Sequence, residues 1–86
     1  MYKIRSSEQV KTMFRYLFKK DKTKYTYLKK KIEQICNYPT LGKPLKNVLK
    51  GTRRVHIGEL VLIYEIDDIN NLISLICLKH HDEVYK

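Results

Sequence analysis

The sequence predicts an α+β fold in one domain spanning residues 1–86: an N-terminal strand, a two-helix hairpin, and a three-stranded antiparallel meander packed on the helices. Three observations predict it. Apolar residues recur at helical spacing through the first forty positions, while the last third holds apolar runs of strand length. Between them Pro39, Gly42, Pro44 and Gly51 punctuate the chain. With 86 residues, 43% of them hydrophobic, one small core can form and a large cofactor-binding enzyme is excluded.

Met1 to Arg5 reads as a short edge strand. Ser6 and Gln9 then have the spacing of a capping box ahead of Val10, Met13, Phe14, Leu17 and Phe18, an amphipathic helix. A polar break at Asp21 to Thr23 precedes a second helical pattern. It carries Tyr25, Leu28, Ile32 and Ile35 on one face, with the lysines mostly elsewhere, and stops before Pro39. Asn37 to Gly51 reads as a basic loop. Three strands follow, Arg53 to Ile57, Leu60 to Ile66 and Leu72 to Lys79, turning at Gly58 and through Asp67 to Asn71. The second and third are apolar at almost every position, which places them centrally with both faces at least partly covered.

The net charge is +9, and 16 of the 18 Lys/Arg lie in residues 1–54 with only three of the nine acidic residues. Such an excess favours a polyanionic partner. The lysines of the second helix read first as a solvated face, with an RNA contact and an acidic protein partner as equal alternatives to it. Cys36 and Cys77 are far apart, without metal-ligand or redox spacing, and read as small core residues. With no signal peptide and no apolar run of about 18 residues, the expected location is the cytoplasm, with no membrane association.

Alternation in strands places Arg54 and His56 on one face, and the same rule pairs Lys79 with His81 at the end of the last strand, with Tyr85 just beyond. Arg, Lys, His and Tyr without an acidic cluster suit cleavage of RNA by its own 2′-hydroxyl. That reaction needs a base, cations for the phosphorane and an acid for the leaving 5′-oxygen. Asp82 and Glu83 are adjacent and diverge if extended, so a two-metal carboxylate site is disfavoured, and neither metal nor cofactor is expected.

The stretch KPLKNVLKGTRRVHIGELVLIYEIDD from Lys43 to Asp68, with LKHHDEVYK from Leu78 to Lys86, resembles the RelE/ParE toxin superfamily, nearest to its RelE, YoeB and YafQ types. The resemblance covers essentially the whole chain. It implies the RelE-like microbial RNase fold and a ribosome-dependent mRNA endoribonuclease, held inactive by a separately encoded antitoxin of RelB-like or similar type. Its partners would be that antitoxin, the ribosome and mRNA.

By the same resemblance, Arg54 and His56 match the basic pair of the first meander strand, and Lys43 is a phosphate contact where YafQ has a histidine. His81 and Tyr85 match the near-terminal histidine of YafQ and tyrosine of RelE, and are expected to carry the acid/base chemistry. Lys79 replaces an arginine of RelE. Two departures stand out: Val61 and Cys77 occupy positions where relatives carry arginine, leaving Arg53, Lys46 or Lys50 to compensate. His80 reads as structural or exposed. Two alternatives stay open: a ParE-like inhibitor of DNA gyrase, and a module that binds RNA or the ribosome without chemistry.

Overall fold

The computed structural model describes residues 1–46 and 51–84. Lys50 and Tyr85, both singled out from the sequence, lie outside the described residues. Five strands form one sheet in the order β1–β5–β4–β3–β2, with two helices across one face, as the sequence predicts in outline. The sheet gains a fifth strand from a segment expected to be loop.

β1 (Lys3–Ser6) is an edge strand and runs parallel to β5 (Leu72–His80), in register from Lys3↔Leu72 to Ser6↔Leu75. The cap of α1 (Glu8–Lys20) is Ser7, not Ser6. Pairing with Leu75 keeps Ser6 in the strand, and the next residue makes the bend into the helix. The Ser7 hydroxyl oxygen accepts from the Val10 N–H at 3.2 Å. Gln9 does not complete a capping box either. Its amide donates to the Leu78 carbonyl at 2.7 Å and accepts from the Leu78 N–H at 2.8 Å, clamping α1 to β5.

The expected three-residue break between helices shrinks to Asp21. Its N–H closes α1 on the Leu17 carbonyl at 2.8 Å, and its carboxylate accepts from the Lys24 N–H at 3.1 Å to open α2 (Lys22–Asn37). Val10 and Leu17 from α1 join Leu28 and Ile35 from α2 in burying the sheet face made by Val55, Ile57, Leu62, Tyr64, Ile73, Leu75 and Leu78. No helix among the described residues is long and apolar enough to cross a membrane. Cys36 is buried and Cys77 half-buried, both as free thiols.

The supposed loop after α2 makes a 3₁₀ turn at Pro39–Leu41 and then β2 (Lys43–Pro44), which pairs with β3 (Thr52–Ile57) through Lys43↔Arg54 and Pro44↔Arg53. Tyr64 explains why it is ordered. Its ring is fully buried, and its hydroxyl donates to the Pro39 carbonyl at 2.6 Å while accepting from the Gly42 N–H at 2.8 Å. Only glycine fits at position 42: an added Cβ would lie 2.7 Å from both the Arg54 carbonyl oxygen and the Tyr64 hydroxyl.

Gly58, at φ 60°, turns β3 into β4 (Leu60–Asp67). The alternation expected to carry His81 along the last strand ends at His80. His81 instead opens a single helical turn, α3 (His81–Val84), with its N–H donating to the Glu59 carbonyl at 2.9 Å.

Candidate active site

Directly paired residues of antiparallel strands project to the same face. Lys43↔Arg54↔Ile63↔Cys77 and His56↔Val61↔Lys79 therefore form two rows on the sheet face turned away from the helices. Val61 and Ile63 are buried, giving this face an apolar floor, while Lys43, His56 and Lys79 are exposed around it. Alternation in β3 had paired Arg54 with His56, and the structure draws them tighter. Nη1 of Arg54 lies 2.6 Å from Nε2 of His56. Because a guanidinium only donates, Nε2 must accept and the imidazole proton sits on Nδ1.

His81 reaches this face by the turn of α3. Its ring stacks on His56, with centroids 5.8 Å apart and planes at 28°. Nδ1 of His81 is 3.7 Å from an Asp82 carboxylate oxygen. Partial desolvation, followed by the charges of Arg54, His81 and Lys43, pushes the His56 pKa below the usual histidine value. His56 is thus a neutral imidazole at neutral pH, set among cations.

The remaining sequence candidates separate. Arg53 faces the other way: its Nη1 donates to the Gly42 carbonyl at 2.7 Å and the Thr40 carbonyl at 3.3 Å, so it braces the turn before β2. Lys46 is exposed past the end of β2. Nε2 of His80 lies 3.4 Å from a Glu59 carboxylate oxygen and its Nδ1 accepts from the Asp82 N–H at 3.3 Å, tying the β3–β4 turn to α3. Two grooves flank the histidine pair. One, of about 350 Å³, has Ile63, Ile76 and Cys77 as its apolar side and Thr52, Lys79 and Glu83 as its polar one. The other, of about 270 Å³, opens between α2 and the end of β3, and Tyr27, Lys30, Lys31 and Gln34 face His56 across it. Sequence reasoning left these α2 residues unassigned, although their i, i+3, i+4, i+7 spacing marks one helical stripe. No group of three His, Cys, Asp or Glu residues suited to hold a metal occurs among the described residues.

A helix hairpin thus backs a five-stranded sheet whose open face carries cations and imidazoles. The chain belongs to the ParE toxin family of type II toxin-antitoxin systems (parDE), whose profile matches residues 4–85, and so to the RelE/ParE superfamily. It is 33% identical over 87 residues to RelE4 of Methanocaldococcus jannaschii, covering 100% of this chain and 93% of that one. Its fold is similar to the YoeB/ParE toxin from Agrobacterium tumefaciens, with a TM-score of 0.85, 17% identity, and coverage of 92% and 98% of the two chains. YoeB from Staphylococcus aureus, solved as a dimer, superimposes with a TM-score of 0.81 at 27% identity, over 93% of this chain and 97% of that one.

Proposed function

We propose that this toxin is a ribosome-dependent mRNA endoribonuclease that works by 2′-hydroxyl attack without a metal, and that a cognate antitoxin blocks the same basic face. The observation that carries the reading is the stacked His56–His81 pair beside Arg54, with Lys43 and Lys79 on the same face. Two imidazoles within one phosphodiester's reach supply a base and an acid, and three cations offset the negative charge of the phosphorane.

In this mechanism Arg54 is also a cap. While its guanidinium donates to Nε2 of His56, that lone pair cannot accept a proton. A scissile phosphate competes for the guanidinium through bidentate contact, which frees Nε2. His56 then takes the 2′-hydroxyl proton and the 2′-oxygen attacks phosphorus. The bond to the 5′-oxygen breaks, and that oxygen takes its proton from His81, oriented by Asp82. Products are a 2′,3′-cyclic phosphate and a 5′-hydroxyl. Tyr85 keeps the role that the resemblance implies, activating the 2′-hydroxyl or stacking on a base.

The test adds purified toxin to a translating extract with a defined mRNA and maps new 5′ ends, for the parent chain and for His56→Ala, His81→Ala and Tyr85→Phe. Codon-phased cuts that need ribosomes and vanish in the histidine variants support the mechanism. Cuts that survive both histidine variants would remove the pair from it. A second reading, gyrase poisoning, is favoured by the ParE profile match and by Val61 and Cys77 standing where relatives carry arginine. Intact mRNA together with gyrase-dependent DNA breaks would select it.

A further inference from the structure

We infer that the groove between α2 and the end of β3 is a binding site for one nucleotide of the RNA strand, next to the scissile phosphate. Tyr27 is its stacking platform, and Lys30 and Lys31 are its phosphate contacts. The inference rests on the ribonuclease reading for its orientation, because the groove and the histidine pair share His56.

Four features carry it. The groove adjoins the candidate active site, since His56 belongs to the lining of one and to the histidine pair of the other. Among the described residues β2 pairs with Arg53 and Arg54, and no strand pairs with the edge of β3 beyond them. Tyr27 is 60% exposed on the helix surface, which leaves its side chain accessible to a base. Within the same turn stand Lys30 and Lys31, and α2 as a whole has five lysines against the single acid Glu33.

Aromatic faces interleaved with cations are how proteins track single-stranded RNA, because every base has a π-face and every linkage a charge. Size limits the occupant further. About 270 Å³ falls short of the roughly 300–1,000 Å³ of sites that enclose drug-sized ligands. One residue of a longer polymer fits, anchored by its neighbours. Gln34 at the groove wall offers both a donor and an acceptor to a base edge.

The test measures binding of a short fluorescent 2′-O-methyl RNA, which cannot undergo 2′-attack, by the parent chain and by Tyr27→Ala, Tyr27→Phe and the double change Lys30→Ala with Lys31→Ala. Tyr27→Ala should weaken binding roughly five- to 100-fold and Tyr27→Phe much less. The lysine pair should lower the slope of log affinity against log salt by about 1.4. Cutting in the translating extract should need correspondingly more Tyr27→Ala toxin, with its phasing unchanged.

Parent-like RNA affinity in Tyr27→Ala overturns the proposal, whether or not the parent cuts mRNA. Loss confined to antitoxin binding also overturns it and assigns the stripe to that protein. If the parent binds through Tyr27 but cuts nothing, the nucleotide site stands and the ribonuclease reading falls. Circular dichroism of each variant checks that the fold is retained.

Discussion

His56 and His81 lie ring against ring, with centroids 5.8 Å apart, although they come from different elements, β3 and the turn of α3. The β3–β4 turn makes this possible. Glu59 receives the His81 N–H on its carbonyl and pairs its side chain with His80, so the start of α3 is fixed to the same turn that ends the strand of His56.

The surroundings of His56 predict its titration. Its folded pKa is depressed, so the folded chain resists a proton that the unfolded chain accepts, and stability falls as pH drops below about 6.5. The imidazole signal of His56 in NMR should titrate below that value. Lys43→Gln and Arg54→Gln should each move it upward, Arg54→Gln further. A midpoint at or above about 6.5 in the parent chain would contradict the assignment.

Tyr64→Phe should destabilise the fold by about 1–3 kcal/mol for each group left unpaired, the Gly42 N–H and the Pro39 carbonyl. Gly42→Ala should act on the same spot by forcing β2 away from β3, because the new methyl meets the Arg54 carbonyl. Denaturant titration reads the first effect. The second should also displace Lys43 and so relax the His56 titration toward its ordinary value.

Gln9→Ala removes both bonds to the Leu78 main chain and should cost on the order of 1–3 kcal/mol. Gln9→Glu keeps the acceptor but loses the donor, and should be intermediate near neutral pH. Thermal melts of the three chains rank the effects. Equal melting of Gln9→Ala and the parent would show that the clamp contributes nothing.

Introducing at Val61 the arginine that the resemblance to RelE implies there should fail. Val61 is fully buried in the floor between His56 and Lys79, and a guanidinium there displaces packed apolar side chains and brings an added charge among cations. Val61→Arg should therefore lower stability instead of raising activity, read as a reduced denaturation midpoint. The basic face of this chain is arranged around an apolar floor.

The fold was legible where pattern and packing agree. Val10, Leu17, Leu28 and Ile35 recur at helical spacing because one face of each helix is core, and β3 to β5 announce themselves by apolar runs. Local signals failed where a distant partner decided. Ser6 and Ser7 are equally good caps in isolation, and only pairing with Leu75 assigns Ser6 to the strand. β2 is two residues long and contains Pro44, so nothing in its own sequence shows that Arg53 and Arg54 will pair with it.

The same division runs through the site. Alternation set Arg54 beside His56 because both belong to one strand. It carried His81 to the correct face by a wrong route, since a four-residue helix has too few positions to show a period. Arg53 was grouped with the phosphate contacts on charge alone, whereas the carbonyls of Thr40 and Gly42 claim its guanidinium. Alternation already puts Arg53, with Val55 and Ile57, on the face opposite Arg54 and His56, and the structure keeps it there.

The parallel pairing of β1 with β5 has a consequence for how the molecule is born. Lys3 meets Leu72 and Ser6 meets Leu75, so the earliest-made strand waits for nearly the latest before it can join the sheet. Such long-range closure comes late in folding and cannot begin on a chain still being synthesised short of β5. The histidine pair is assembled by the same final segment, through α3. On a nascent chain the His56–His81 pair thus stays unformed until the residues of α3 have emerged.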